Sequence, residues 1–333
     1  INWFDYGYAP PPSLEPPFAV HTELATAPWN PQRLLLSVGL KGYQVDPASI
    51  PAANLVFLLD TSGSMQSQDK LGLLKQSLSL LVERLRPQDR IAIVAYAGSA
   101  GLVLPSTSGS DKASILAALN RLEAGGSTNG GAGIELAYAT ALQSAVPGGV
   151  NRVILATDGD FNVGTVSIDA LESLVRAKRE SGVALTTLGF GRDNYNAELA
   201  EHLADIGNGN HAYIDRLEEA RKVLVEEMSS TLLTIASDVK IQIEFNPSVV
   251  AEYRLLGYEN RALHREDFNN DKVDAGEIGA GHDVTALYEI ALVGSGGEWN
   301  APLKYAAGAR TPATGAAGEL ATVRLRYKSP EGG

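Results

Sequence analysis

Five side chains in this sequence carry oxygen atoms at a spacing that suits a metal ion. Two are aspartates and three bear hydroxyl groups, and they fall in three separate segments of the chain: Asp60, Ser62, Ser64, Thr128 and Asp158. All are hard oxygen donors, which favours Mg²⁺, with Mn²⁺ or Ca²⁺ as alternatives, over zinc or copper. Because hydroxyl ligands donate less charge than carboxylates, we expect the ion to stay electrophilic and to accept a carboxylate from a partner protein.

The elements that must position these residues read as an open α/β sheet. Near-continuous apolar runs predict buried parallel strands at 55–59, 91–96, 153–156 and 183–190. Apolar residues recurring every three or four positions predict helices at 70–86, 114–122, 134–145, 168–179, 197–206 and 217–233. Asp60 and Asp158 each follow a predicted strand, and Thr128 lies in a glycine-rich loop that leads into a helix. Ligands bind beyond the carboxyl ends of such strands, so we expect a doubly wound, mostly parallel sheet with a metal site at this edge.

The two ends of the chain differ in composition from the middle. Nine of the 16 prolines fall within the first 51 residues, which excludes long helices there and leaves short strands. Alternating apolar and polar residues predict antiparallel strands at 239–245, 285–292 and 322–327. We therefore expect domain limits of 1–51, 52–236 and 237–333. The middle domain would be inserted in a β-sandwich-like domain that both flanks build together.

Composition excludes several classes of function. The chain has 333 residues and a formal net charge of −12, so it lacks the basic footprint of a nucleic-acid-binding protein. No apolar run approaches the length of a membrane span, and we expect no membrane insertion in this segment. The absence of cysteine excludes disulfides, thiolate metal sites and thiol nucleophiles. The first residue is Ile1, and we interpret the chain as a processed or excised segment.

The motif Asp60-Thr61-Ser62-Gly63-Ser64, together with Thr128 and Thr157-Asp158-Gly159, resembles the metal-ion-dependent adhesion site of von Willebrand factor type A domains. The resemblance covers about 54–236. It implies that Ser62, Ser64 and Thr128 bind the ion directly and that the aspartates often act through water. It also implies Mg²⁺-dependent protein binding rather than catalysis.

The flanks resemble those of bacterial YfbK-type proteins. The likeness rests on Asn2–Tyr6 and on 258–282, which contains Asp267-Phe268-Asn269-Asn270-Asp271. It implies an exported or envelope protein and adds little else about function. The oligomeric state and the role of the 267–277 loop stay open.

Alternative readings exist for each feature. Ser62 or Ser64 could cap the following helix, and Asp158-Gly159 could be an ordinary turn. The Asp267 segment begins like an EF-hand loop but has Lys272 where glycine is needed and Ile278 where glutamate is needed, so a polar turn is the better interpretation.

Two other functions are open at this point. Asp60 could be the nucleophile of a Mg²⁺-dependent phosphoryl-transfer enzyme, although such enzymes want a second aspartate two residues on, where this chain has Ser62. Alternatively, the domain could work with an ATPase or chelatase. That ATPase would be a separate protein, because this chain has no phosphate-binding loop of its own.

Overall fold

The structure is a computed structural model that describes residues 1–2, 4, 6–159, 167–191, 197–226, 233–257, 263–270, 273, 275–300 and 318–329. The chain divides into two compact units. Unit 1 consists of Ile1–Val45 and Thr234–Gly333, and unit 2 consists of Asp46–Leu233.

The helices and strands follow in chain order. The strands are β1 (Phe18–Ala27), β2 (Asn30–Gly42), β3 (Ala53–Asp60), β4 (Arg90–Tyr96), β5 (Ala100–Ser108), β6 (Val150–Thr157), β7 (Ala184–Phe190), β8 (His211–Ile214), β9 (Thr234–Phe245), β10 (Val250–Leu256), β11 (Gly276–Gly279), β12 (Asp283–Leu292) and β13 (Ala321–Lys328). The helices are α1 (Leu73–Arg84), α2 (Lys112–Asn120), α3 (Gly130–Gln143), α4 (Ile168–Glu180), α5 (Ala197–Ile206) and α6 (Leu217–Arg221).

Unit 2 is built around one mostly parallel sheet in the order β5-β4-β3-β6-β7-β8. Among its described strands, only β5 runs antiparallel to its neighbour, β4. The chain passes from β3 to β4 on one side and later returns to β6 on the other side of β3. The order therefore reverses between β3 and β6, and this reversal is the point where open α/β sheets bind ligands. The expected doubly wound fold is confirmed.

Strand β3 contributes to the hydrophobic packing on both faces of the sheet, because successive side chains of a strand point to opposite faces. Leu55, Phe57 and Leu59 pack with apolar residues of α1 and α2 on one face. Val56 and Leu58 pack with residues of α3 and α4 on the other face. All five side chains are at most 1% exposed, and each contributes roughly 2 kcal/mol by burial. This packing fixes the carboxyl end of β3.

The sequence interpretation missed or misplaced some elements of unit 2. No strand was expected over β5, where Pro105 interrupts the strand pattern, but an edge strand tolerates a residue without an N–H. The short strand β8 was also missed. Over the helix expected at 217–233, the structure has α6, which ends at Arg221, followed by a π-helical turn over Lys222–Glu226. Residues 227–232 of that prediction lie outside the described residues.

Within the described residues, unit 1 contains two antiparallel sheets, and the four-stranded one combines strands from both ends of the chain. One has the order β1-β2-β12-β10 and the other has the order β11-β9-β13. Leu36, Val38, Val250 and Ile290 form the buried centre, and Ile243 and Val323 of the second sheet pack against them. This arrangement confirms the expected β structure built from both flanks. The sequence pattern had not indicated β10 and β11.

The opposite face of the four-stranded sheet carries charged side chains that we call the ion-pair network: Arg33, Glu252, Arg254 and Glu289. Arg254 lies directly across from Glu289, so the two share a face. Arg254 Nε lies 2.5 Å from Glu289 Oε2, and Arg33 Nη1 lies 3.3 Å from Glu252 Oε2. Arg33 is 1% exposed and Glu289 is 0% exposed, so each buried charge in the network has a partner of opposite sign.

Among the residues described, none of the helices combines the length and the apolar composition needed to cross a bilayer.

Candidate metal centre

The candidate residues lie at the ends of β3 and β6, which are neighbours in the sheet. Leu59 of β3 pairs with Ala156 of β6, so Asp60 and Thr157 leave the sheet side by side. Asp158 follows directly after β6. The structure thus brings the two expected aspartates to the point where the strand order reverses.

Asp60 is the buried floor of this site. It is 0% exposed, and its carboxylate accepts hydrogen bonds from neutral groups of three residues. The Ser62 backbone N–H donates to Oδ1 at 2.8 Å. The hydroxyls of Tyr96 and Thr157 donate to Oδ2 at 3.2 and 3.1 Å. Among the described residues, no cation contacts Asp60.

Burial raises the pKa of Asp60 above the ordinary aspartate value. The hydrogen bonds from Ser62 oppose this rise, and the nearby negative charge of Asp158 adds to it. Burial also raises the pKa of Tyr96 well above its ordinary value, so its phenol stays protonated and donates to Asp60. A buried carboxylate held only by neutral donors is stabilised when a cation approaches.

Ser62 and Ser64 lie in the turn that follows β3. Their hydroxyl oxygens are 2.9 Å apart, which is close enough for both to contact one bound ion. Ser62 is buried, whereas Ser64 is exposed at the rim. Ser62 occupies the N-cap position of the 3₁₀ turn Gly63–Gln66, but its side chain makes no capping hydrogen bond there. The helix-cap alternative for Ser62 therefore has no support in the geometry.

The glycine-rich loop before α3 contacts this turn through its backbone. Gly125 N–H donates to Thr61 O at 2.8 Å, and Gly63 N–H donates to Gly126 O at 3.1 Å. Gly126 has φ +82°, a left-handed conformation that favours glycine. Thr128, three residues after Gly125, is partly exposed, and its hydroxyl has no hydrogen-bond partner within the described part of the chain. The loop thus brings an available hydroxyl to the same edge of the sheet.

Asp158 differs from Asp60 because it contacts an ammonium group. Lys70 Nζ donates to Asp158 Oδ2 at 2.8 Å, and the aspartate side chain is 2% exposed. Sequence reasoning placed Lys70 only at the start of a helix and gave it no role at the site. It also missed the donors Tyr96 and Thr157. Of these, only Thr157 carried a signal, because it precedes Asp158 in the motif.

The donor set fits a hard divalent cation. Two buried carboxylates and three hydroxyls, two of them on accessible side chains, offer oxygen ligands of the kind that Mg²⁺ binds together with water. Among the described residues, no group of three His, Asp or Glu side chains is placed to hold a metal ion. Asp271, in the segment that begins like an EF-hand loop, lies outside the described residues.

An open sheet with helices on both faces and polar side chains at its reversal point defines an α/β ligand-binding domain. The chain belongs to the von Willebrand factor type A domain family, whose family model matches residues 54–227. This confirms the family resemblance. Domains of this family typically mediate protein–protein interactions, commonly bind a divalent metal and are mostly non-enzymatic. Two further models match the flanks: the C-terminal region of uncharacterised protein YfbK at 230–333, and von Willebrand factor at 1–37.

Individual relatives agree with this assignment. The chain is 53% identical to the uncharacterised protein YfbK of Escherichia coli, over 97% of this chain and 56% of that protein. It is 32% identical to the uncharacterised protein sll0103 of Synechocystis, over 64% of this chain and 50% of that protein. The chain therefore spans about half the length of these curated relatives. A solved von Willebrand factor type A structure from Catenulispora acidiphila has a TM-score of 0.51 at 17% identity, over 86% of this chain and 66% of that one, and shares the fold.

Proposed function

We propose that this protein is a binding module that holds a divalent cation in the strand-tip cluster, defined as Asp60, Ser62, Ser64, Thr128 and Asp158. Mg²⁺ is the first candidate, and Mn²⁺ and Ca²⁺ suit the same oxygen donors. The cation would bridge to an acidic residue of a partner protein. The role would be adhesion, scaffolding or assembly.

One observation supports this proposal most strongly: Asp60 is fully buried, yet its contacts among the described residues are all neutral donors. An ionised carboxylate in such a place costs stability unless a cation neutralises it. The cluster also has a rim, because Ser64 is exposed and Thr128 is partly exposed. When bound, the ion would supply a positive centre that a partner's carboxylate can reach from outside.

The net charge of the chain favours a bridging cation. A chain with a formal charge of −12 repels an acidic partner at long range. A divalent ion at the rim supplies the local attraction that the protein surface lacks. Binding of this kind would be lost on chelation.

The phosphoryl-transfer alternative is less well supported by the geometry of Asp60. A nucleophilic carboxylate must be reached by the substrate phosphorus, but Asp60 is 0% exposed. Here Oδ1 accepts from Ser62 N–H, and Oδ2 accepts from the Tyr96 and Thr157 hydroxyls. The residue two positions on is Ser62, which cannot serve as a carboxylic acid for proton transfer. No contact in the described residues favours a role beside an ATPase over other assembly roles.

The exported or envelope location rests on the YfbK-type resemblance and stays a proposal. An experiment that tests partner binding can use envelope extracts for this reason. The chain would be immobilised and incubated with extract in Mg²⁺ or in EDTA, with Asp60→Asn as the matched control. A protein retained only by the parent in Mg²⁺, and released by EDTA, supports the bridging role. Retention that is the same in EDTA and on Asp60→Asn would contradict it.

A further inference from the structure

The ammonium group of Lys70 lies against one of the two carboxylates of the strand-tip cluster. Its Nζ is 2.8 Å from Asp158 Oδ2, and the two side chains are 18% and 2% exposed. The contact is therefore largely withdrawn from water, where an ion pair is screened less than at the surface.

The Lys70 side chain lies against the backbone at the end of β7. Lys70 lies in the π-helical turn Gln68–Gly72, between the serine-bearing turn and α1. Its aliphatic stem passes over Gly191 at the end of β7, where an added Cβ would lie 3.0 Å from Lys70 Cε and Cγ. Gly191 has φ +103°, so the position also suits glycine by conformation. The absence of a side chain at Gly191 thus leaves room for the Lys70 stem, whose ammonium contacts Asp158.

We infer that Lys70 is an internal counter-ion of the strand-tip cluster, which pairs with Asp158 when no metal is bound and lowers the affinity of the cluster for a divalent cation. This inference rests on the proposed metal site. An ammonium that contacts one carboxylate repels an incoming cation and competes for the same oxygen. Lys70 would thereby set the concentration of metal at which the site fills, without touching the partner.

The same contact stabilises the metal-free protein. Asp158 and Asp60 lie close enough for the charge of Asp158 to raise the pKa of Asp60. Lys70 offsets part of this like-charge repulsion while the site is empty of metal. Loss of the ammonium should therefore destabilise the metal-free state and increase the stabilisation that a metal ion provides.

The test measures Mn²⁺ affinity by the electron paramagnetic resonance signal of free Mn²⁺ in titrations of the full chain. Lys70→Met removes the charge and keeps much of the stem, and Lys70→Arg keeps the charge. Lys75→Met is the matched control, because Lys75 Nζ donates to the backbone oxygens of Asn120 and Leu122 instead of a carboxylate. We expect Lys70→Met to bind Mn²⁺ about tenfold more tightly than the parent. We expect Lys70→Arg and Lys75→Met to bind like the parent.

A second readout separates this role from a purely structural one. In EDTA, Lys70→Met should melt below the parent, and saturating Mg²⁺ should raise its melting temperature by more than it raises that of the parent. A structural role alone would lower the melting temperature equally in both buffers. Unchanged or weaker Mn²⁺ binding by Lys70→Met, while the parent binds, overturns the counter-ion inference alone. Absence of Mn²⁺ binding by the parent overturns the metal site and this inference with it.

Discussion

The strand-tip cluster of unit 2 and the ion-pair network of unit 1 both bury carboxylates, but they compensate the charge differently. In the network, Glu289 contacts Arg254 and Arg33, and Glu252 contacts Arg33. In the cluster, Asp60 is equally buried and is held only by neutral donors within the described chain. The network is therefore complete as it stands, whereas the cluster lacks positive charge at its most buried member.

The pKa values move in opposite directions in the two regions. Burial alone would raise the pKa of Glu289, but hydrogen bonds from Trp29 and Arg254 and the nearby guanidinium charges outweigh it and lower the pKa. Backbone N–H groups of Trp299 and Asn300 lower the pKa of Glu252 to about 2. The pKa of Asp60 is raised instead. This contrast indicates that Asp60, which is buried, has a raised pKa and contacts no cation among the described residues, is a better candidate for metal binding than Glu289 or Glu252.

The largest effect on stability should come from breaking the network. Glu289→Gln removes the carboxylate that Arg33 and Arg254 both contact. Arg33, which is 1% exposed, then keeps Glu252 as its charged partner in the network, and the free energy of unfolding should fall by about 3 kcal/mol. Urea unfolding followed by tryptophan fluorescence measures this, because Trp3, Trp29 and Trp299 all belong to unit 1. The control is Glu244→Gln, which breaks an exposed pair with Arg324 and should cost less than ~1 kcal/mol. Equal losses of unfolding free energy in the two variants would mean that the buried ion pairs of the network contribute no more than an exposed pair.

Acid should destabilise unit 1 through the protonation of Glu252. A carboxyl whose folded pKa is lowered stabilises the fold above its unfolded pKa, and this stabilisation is lost as the pH falls through the folded pKa. For Glu252 the window runs from 4.5 down to about 2. The urea midpoint of unit 1, read by tryptophan fluorescence, should therefore fall across this range. Glu252→Gln should flatten the dependence of the urea midpoint on pH. An unchanged slope in that variant would mean that Glu252 is not the group that titrates in this range.

Asp60→Asn should show the opposite behaviour to Glu289→Gln. Because the folded state raises the pKa of Asp60, the ionised carboxylate costs stability once the pH exceeds its folded pKa. In EDTA at neutral pH, we expect the amide to leave the free energy of unfolding unchanged or to raise it by about 1 kcal/mol. Circular dichroism at the helical band reports unit 2, to which the described α-helices belong. A loss as large as that of Glu289→Gln would mean that Asp60 is a structural residue.

Thr128→Val should have the smallest effect on stability. Its hydroxyl has no partner among the described residues, so the free energy of unfolding should stay within ~0.5 kcal/mol of the parent. The variant keeps the shape of the side chain but removes an oxygen ligand, and Mg²⁺ affinity should fall about tenfold. Calorimetric titration measures the affinity and urea unfolding the stability. Parent-like affinity would remove Thr128 from the cluster.

The position of the cluster could be predicted from the sequence because each aspartate directly follows a buried apolar strand. Parallel strands bring their carboxyl ends to one edge, so Asp60 and Asp158 had to lie near each other once the two strands were recognised. The glycines at 125–126 and 130–131 likewise indicated a loop able to approach closely. Local patterns were sufficient for these features.

Other features depend on contacts that no local pattern contains. Lys70 reaches Asp158 across 88 positions through a π-helical turn, and the helical periodicity of this segment gave no sign of it. The ion-pair network depends on the register of β2, β12 and β10, which brings Arg33, Glu289 and Arg254 to one face. The domain limits expected after 51 and 236 stay a prediction, which limited proteolysis followed by a test of flank association can check.

Calorimetric titration of Mg²⁺ into the metal-free chain tests most directly whether the strand-tip cluster holds a divalent cation. We predict saturable binding of one Mg²⁺ per chain to the parent and no measurable binding to Asp60→Asn, with both proteins folded by circular dichroism. Absence of Mg²⁺ binding to the parent, or equal binding to the two proteins, would contradict the proposed metal site.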